Sequence, residues 1–184
     1  YARDEEGPLV GLAGGVTGWV DAGSAGADQI DDMVAFARSA PQPASMLINI
    51  GRAGILPGGD TMDLRLADVA AAQEAIARNR DVVVGVKARL TRGVAADDVE
   101  VLRRAQEVAT SFDLPVMIHM GQTASPLPRL LSQLKRGDIV THMFAPPPNS
   151  VIGDDDRIVP AVLAARRRGV WFDVANGRTG HLRW

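Results

Sequence analysis

The hydrophobic positions of this chain fall into short apolar runs separated by stretches of helical spacing, and the alternation repeats along the whole length. Val82-Val83-Val84 opens a run that continues to Leu90, and Val116-Met117-Ile118 and Ile139-Val140 are runs of the same design. Runs without strict apolar–polar alternation suit parallel strands buried on both faces. On this pattern strands are expected over 16–21, 45–50, 82–90, 114–120, 138–144 and 170–174.

The stretches between them place apolar residues three and four positions apart, as one face of a helix requires. A helix over 28–39 would align Ile30, Met33, Val34 and Ala37, with Asp28, Asp31 and Asp32 in its first turn. An alanine-rich helix is expected over 63–79, and one over 96–112 would present Leu102, Ala105, Val108, Ala109 and Phe112 together. Ser125-Pro126 reads as the cap and first position of a short helix carrying Leu127, Leu130, Leu131 and Leu134. A fifth helix would carry Val159, Val162 and Leu163, with Pro160 tolerated only in its first turn.

Six strands alternating with five helices describe a parallel α/β fold, either an open doubly wound sheet or a (β/α)8 barrel. Gly23-Ser24-Ala25-Gly26, after the first strand, lacks the third glycine and the lysine of a phosphate-binding loop, which lowers the nucleotide-binding reading. That glycine-rich loop suits a strand end closely approached by another part of the chain.

Composition changes the picture mainly by exclusion. With 46% hydrophobic and 23% charged residues, the 184-residue chain is of ordinary globular composition, read as one catalytic domain over 1–184. A net charge of −2 without a basic stretch gives no push toward nucleic acid or an anionic membrane surface. Arg166-Arg167-Arg168 precedes Gly169 and fits a helix C-terminus. There are no cysteines, so any metal must use nitrogen and oxygen ligands. No apolar run approaches the roughly 20 residues of a membrane span, the first residues lack a signal-peptide layout, and a cytoplasmic location is expected.

The candidate chemistry lies where three strands end: Lys87 in Gly85-Val86-Lys87-Ala88-Arg89, His119 after Val116-Met117-Ile118, and His142 after Ile139-Val140-Thr141. In a barrel, catalytic residues come from the C-terminal ends of several strands, which favours the barrel. A lysine on a buried strand must be paired, neutralised or modified. Three readings stand for Lys87: a rim ion pair with an aspartate, a Schiff-base amine, or a carbamate formed with carbon dioxide. Two of the chain's three histidines at strand ends point to metal ligation or proton transfer. His181, in a terminal loop, is assigned no direct role.

These three strand ends resemble the amidohydrolase superfamily, and within it the amidohydrolase/deacetylase metallohydrolases related to dihydroorotases. Val20-Asp21-Ala22-Gly23-Ser24-Ala25-Gly26 and Phe172-Asp173-Val174-Ala175-Asn176-Gly177 look like the same branch, so the resemblance covers nearly the whole chain. It implies a distorted TIM barrel with two divalent metal ions, zinc being expected, bridged by a lysine carboxylated with carbon dioxide or bicarbonate and by a hydroxide. Lys87 would be the bridge, and His119 and His142 would ligate the second metal. The implied reaction is hydrolysis of an amide or ester in a small-molecule substrate, of deacetylase or amidohydrolase type. Arg89 and Arg178 are candidates for gripping a substrate carboxylate with paired hydrogen bonds, and Asn176 for lining the pocket.

The sequence also departs from the family. No His-x-His pair occurs in it, and no aspartate follows an eighth strand, so the chain corresponds to family strands two to seven. Asp173, on the seventh, is not the missing aspartate, and the 184 residues alone are expected to be inactive. Two alternatives remain: a barrel lyase using Lys87 as a Schiff-base amine, and a non-catalytic truncated barrel whose open edges pair with another chain. Homo-oligomerisation is compatible with the sequence but not specified by it.

Overall fold

The computed structural model describes residues 11–175. Six parallel strands pair strictly in chain order: β1 (Trp19–Asp21), β2 (Ala44–Asn49), β3 (Val83–Arg89), β4 (Val116–His119), β5 (Ile139–Thr141) and β6 (Trp171–Asp173). Each of the first five is followed by a helix returning to the next strand: α1 (Ile30–Ser39), α2 (Val69–Arg78), α3 (Asp98–Ser111), α4 (Leu127–Gln133) and α5 (Pro160–Arg168). A sheet whose sequential strands always neighbour one another has no topological switch point, so it curls, and these six strands form an incomplete TIM-type barrel. The open doubly wound alternative is thereby excluded.

The helical faces are those the spacing predicts. Ile30, Met33, Val34 and Ala37 are buried on α1, and Val101, Leu102, Ala105, Val108 and Ala109 on α3. They pack on the strand residues Ile48, Val86, Ala88, Val116, Ile118 and Val140, all almost fully buried. Each such valine, leucine, isoleucine or methionine side chain stabilises the fold by about 1.5–3 kcal/mol on burial, and each alanine by less. Asp97 caps α3 by accepting from the Val99 and Glu100 amides, both at 3.0 Å. Gly169, at φ 92°, ends α5 in the left-handed conformation after the three arginines.

Local differences from the expected pattern have physical causes. The α1 helix starts at Ile30, two residues later than expected. Asp28 lies in the turn before it, its amide donating to the Arg52 carbonyl at 2.9 Å and its carboxylate paired with Arg52 at 2.8 Å. The alanine-rich helix starts at Val69, since Asp63 caps a separate 3₁₀ turn (Leu64–Leu66) and Asp68 caps the helix itself. Ser125 is not the cap of α4. Its amide and hydroxyl both donate to buried Asp98, at 2.6 and 2.7 Å, and Pro126 takes the cap position. Leu163, expected on the apolar face of α5, is exposed, and Val162 with Ala165 fills that side instead. The strands are also shorter than their apolar runs, because ladder pairing stops where the loops take over.

Candidate active site

Parallel pairing brings the ends of the strands into rows. Arg89 is in register with His119, His119 with Thr141, and Thr141 with Asp173, so one polar row crosses the C-terminal ends of four strands. Two residues earlier along β3, Lys87 is in register with Asn49 of β2. Of the sequence-predicted site residues, Lys87, Arg89, His119 and His142 are brought to this one end of the barrel. Asn176, Arg178 and His181 lie outside the described residues.

Lys87 is 4% exposed. Among the described residues its ammonium has no hydrogen-bond acceptor and no ion-pair partner, so the rim ion pair with an aspartate is not its arrangement. Loss of hydration, with the charge of Arg89 beside it, pushes its pKa down from 10.5 to about 7. The more distant carboxylates of Asp173, Asp21 and Asp60 oppose this only in part. About half of the amine is therefore neutral near pH 7, where an exposed lysine is almost wholly charged.

His119 follows the same logic. Burial first, then the neighbouring Lys87, His142 and Arg89, push its pKa down to about 3, so its imidazole is neutral across the physiological range. The His119 and His142 rings meet edge to face with centroids 4.3 Å apart. Their strands are neighbours, and His142 adopts φ 70°, a left-handed conformation uncommon for a residue with a side chain. Its Nδ1 lies 2.6 Å from the Ala175 carbonyl oxygen, which can only accept. The proton is therefore on Nδ1, and Nε2 keeps its lone pair for a metal or a proton.

A second layer holds these groups. Asp60, 1% exposed, accepts from the Asn49 amide at 3.0 Å, from Arg89 Nη1 at 2.9 Å and from the Leu56 amide at 3.0 Å. Asn49 also donates to the Gly23 carbonyl at 3.2 Å and accepts from the Gly51 amide at 2.8 Å. Thr141 donates to Asp173 at 2.7 Å. Asn49 and Thr141 carried the same signal as Lys87 and His119, a polar side chain closing an apolar run, and could have been found by it. Asp60 lies inside a glycine-rich loop, where no spacing marks it.

Among the described residues no three histidine, aspartate or glutamate side chains converge as a metal cluster. The donor set is instead two imidazoles, of which His119 is held neutral by burial, and one buried lysine. Such a lysine contributes an oxygen ligand only when carboxylated, and then histidine nitrogen with carboxylate-type oxygen suits zinc-like divalent ions. The residues present fit one side of a metal site. Among the described residues no helix is long and apolar enough to cross a membrane.

No protein-family model matches the sequence. A deacetylase of Enterococcus faecalis is 31% identical over 171 residues, covering 91% of this chain and 46% of that protein. A deacetylase of Brucella anthropi is 25% identical, covering 91% of this chain and 43% of the relative. The chain thus spans somewhat under half the length of the curated relatives it matches. Among solved structures, an adenine deaminase superposes with a TM-score of 0.86 at 30% identity, over 91% of this chain and 46% of that one. A dihydroorotase superposes with a TM-score of 0.82 at 26% identity, over 91% of this chain and 54% of that one. The fold is amidohydrolase-like, in agreement with the incomplete barrel expected from the strand pattern.

Proposed function

We propose that this chain carries the central part of a metal-dependent hydrolase that cleaves an amide or ester bond in a small molecule. The deacetylase names of its relatives, and the amidohydrolase-type barrels it superposes on, support the reaction class. The observation that carries the reading is the buried, unpaired Lys87 with the paired rings of His119 and His142 at neighbouring strand ends. Lys87, carboxylated by carbon dioxide or bicarbonate, would bridge two divalent ions, and His119 and His142 would ligate one of them. Such ions, when bound, lower the pKa of a water and polarise the scissile carbonyl.

The chain's own residues have definite tasks in this scheme. The neutral Lys87 amine attacks carbon dioxide, forming an N–C bond and releasing one proton to solvent, which leaves a carbamate anion. His142 presents Nε2 because the Ala175 carbonyl holds the proton on Nδ1. His119 presents a lone pair because its burial disfavours protonation. Arg89, fixed by Asp60 through Nη1, offers its remaining N–H groups to a substrate carboxylate. Asn176 and Arg178 are proposed for the same pocket.

The neutral amine also suits the lyase reading, in which Lys87 forms a Schiff base, and the two are separable. Elemental analysis of the chain after dialysis against zinc with bicarbonate is expected to find bound zinc that Lys87→Ala lacks. Borohydride with a carbonyl substrate is expected to leave Lys87 unlabelled. A wild-type chain that binds no divalent metal under these conditions, or a trapped Lys87 adduct, overturns the proposal.

A further inference from the structure

The loop after β1 crosses over β2 to meet a side chain on β3, two strands away. Gly23 has φ +91°, and a Cβ built on it would lie 2.3 Å from Lys87 Cβ, 2.5 Å from Cγ and 3.6 Å from Cδ. The bare Cα of Gly23 is thus pressed against the stem of Lys87, near the backbone and well short of the amine. Both sides of the contact are anchored. The Gly23 amide donates to Asp21 Oδ1 at 3.0 Å, and its carbonyl accepts from Asn49 at 3.2 Å. The Ser24 amide and hydroxyl, both at 2.7 Å from the Asp21 carboxylate, clamp the same turn. On the other side, Lys87 is paired with Asn49 and Met117, and its carbonyl accepts from the Ile50 amide at 2.9 Å.

We propose that Gly23 is a positioning residue that fixes the direction of the Lys87 side chain. With its backbone bonded on both sides, Lys87 cannot retreat from the loop. The loop in turn cannot lift without breaking the Asp21 and Asn49 bonds. Only a glycine leaves room for the stem, and the wall it forms admits one path for the chain of methylenes, toward the strand ends where His119 and His142 sit. A methyl group at position 23 would push the stem off that path. The consequence for metal binding rests on the metal-site reading above, whereas the placement of Lys87 does not.

The sequence contains two lysines, Lys87 and exposed Lys135, which makes the placement measurable. Trace acetylation of the native chain with acetic anhydride, read by peptide mass spectrometry, gives the ratio of Lys87 to Lys135 modification. Gly23→Ala is expected to change that ratio about threefold or more, because an overpacked side chain is displaced and both its access and its burial alter. Asp97→Ala loosens a helix start elsewhere and is expected to leave the ratio unchanged. An unchanged ratio in folded Gly23→Ala, or an equal change in Asp97→Ala, overturns the proposal. If Gly23→Ala does not fold, the double variant Gly23→Ala/Lys87→Gly decides. Its recovery shows that the Lys87 stem was the obstacle, and its failure while Lys87→Gly alone folds shows that backbone strain at position 23 suffices, which overturns the proposal. Zinc content completes the test: loss of zinc in Gly23→Ala supports positioning of the site, and retention at the wild-type level contradicts it. A wild-type chain without zinc would remove the metal reading while the labelling ratio still judged Gly23.

Discussion

Replacing Lys87 by methionine should make the metal-free chain more stable while destroying the site. The folded chain holds the Lys87 pKa at about 7, against 10.5 for an unperturbed lysine. Between those values the unfolded chain binds more protons than the folded one, so folding is opposed there. The penalty is negligible above pH 10.5, grows as the pH falls, and is complete below about pH 7. At 1.36 kcal/mol per pH unit the full penalty is about 5 kcal/mol, and at pH 7 it is about 4 kcal/mol. Methionine keeps the Cβ and Cγ that pack on Gly23 and carries no charge. For a domain of this size about 4 kcal/mol corresponds to a rise in Tm of roughly 8–16 °C. The assay is thermal unfolding of wild type and Lys87→Met in bicarbonate-free, chelated buffer from pH 6 to 10.5. The difference in Tm should be largest at pH 6–7 and vanish toward pH 10.5. A difference near zero at pH 7, or one independent of pH, would refute the claim that Lys87 is buried without a partner.

Other consequences are smaller or more local. His119→Ala and His142→Ala should each lower bound zinc to the level of Lys87→Ala in elemental analysis, with little change in fold by circular dichroism. Asp60→Ala removes the acceptor of Asn49, Arg89 and Leu56 together and should cost about 3 kcal/mol in urea unfolding. Asp97→Ala removes two capping bonds from α3 and should cost about 1 kcal/mol by the same measurement.

The barrel was readable because its signals are local and repeated. The spacing of Ile30, Met33, Val34 and Ala37 marks the buried face of α1, and Val82 to Leu90 marks a strand buried on both sides. The strand-end rule also placed Lys87, His119 and His142 together, since parallel neighbours in chain order bring their ends to one side. Tertiary competition limited the rest. Ser125 has the right residue type for a helix cap, but buried Asp98, 27 positions away in sequence, needed its two donors more. Asp28 likewise bonds to Arg52, through both its amide and its carboxylate, in the turn before α1. Asp60 could not be singled out because its role depends on three donors converging from separate segments. The glycine-rich loop after β1 was legible as a site of close approach, but only the fold identifies Lys87 as the group that approaches Gly23.

The central claim is that Lys87 becomes a carbamate within a site completed by metal and the two histidines. Carbon-13 NMR of the chain with zinc and 13C-labelled bicarbonate tests it most directly. The account predicts a carbamate carbon resonance in wild type, absent in Lys87→Met and lost on chelation of the zinc. No carbamate resonance in a zinc-loaded wild-type chain, or the same resonance in Lys87→Met, would contradict it.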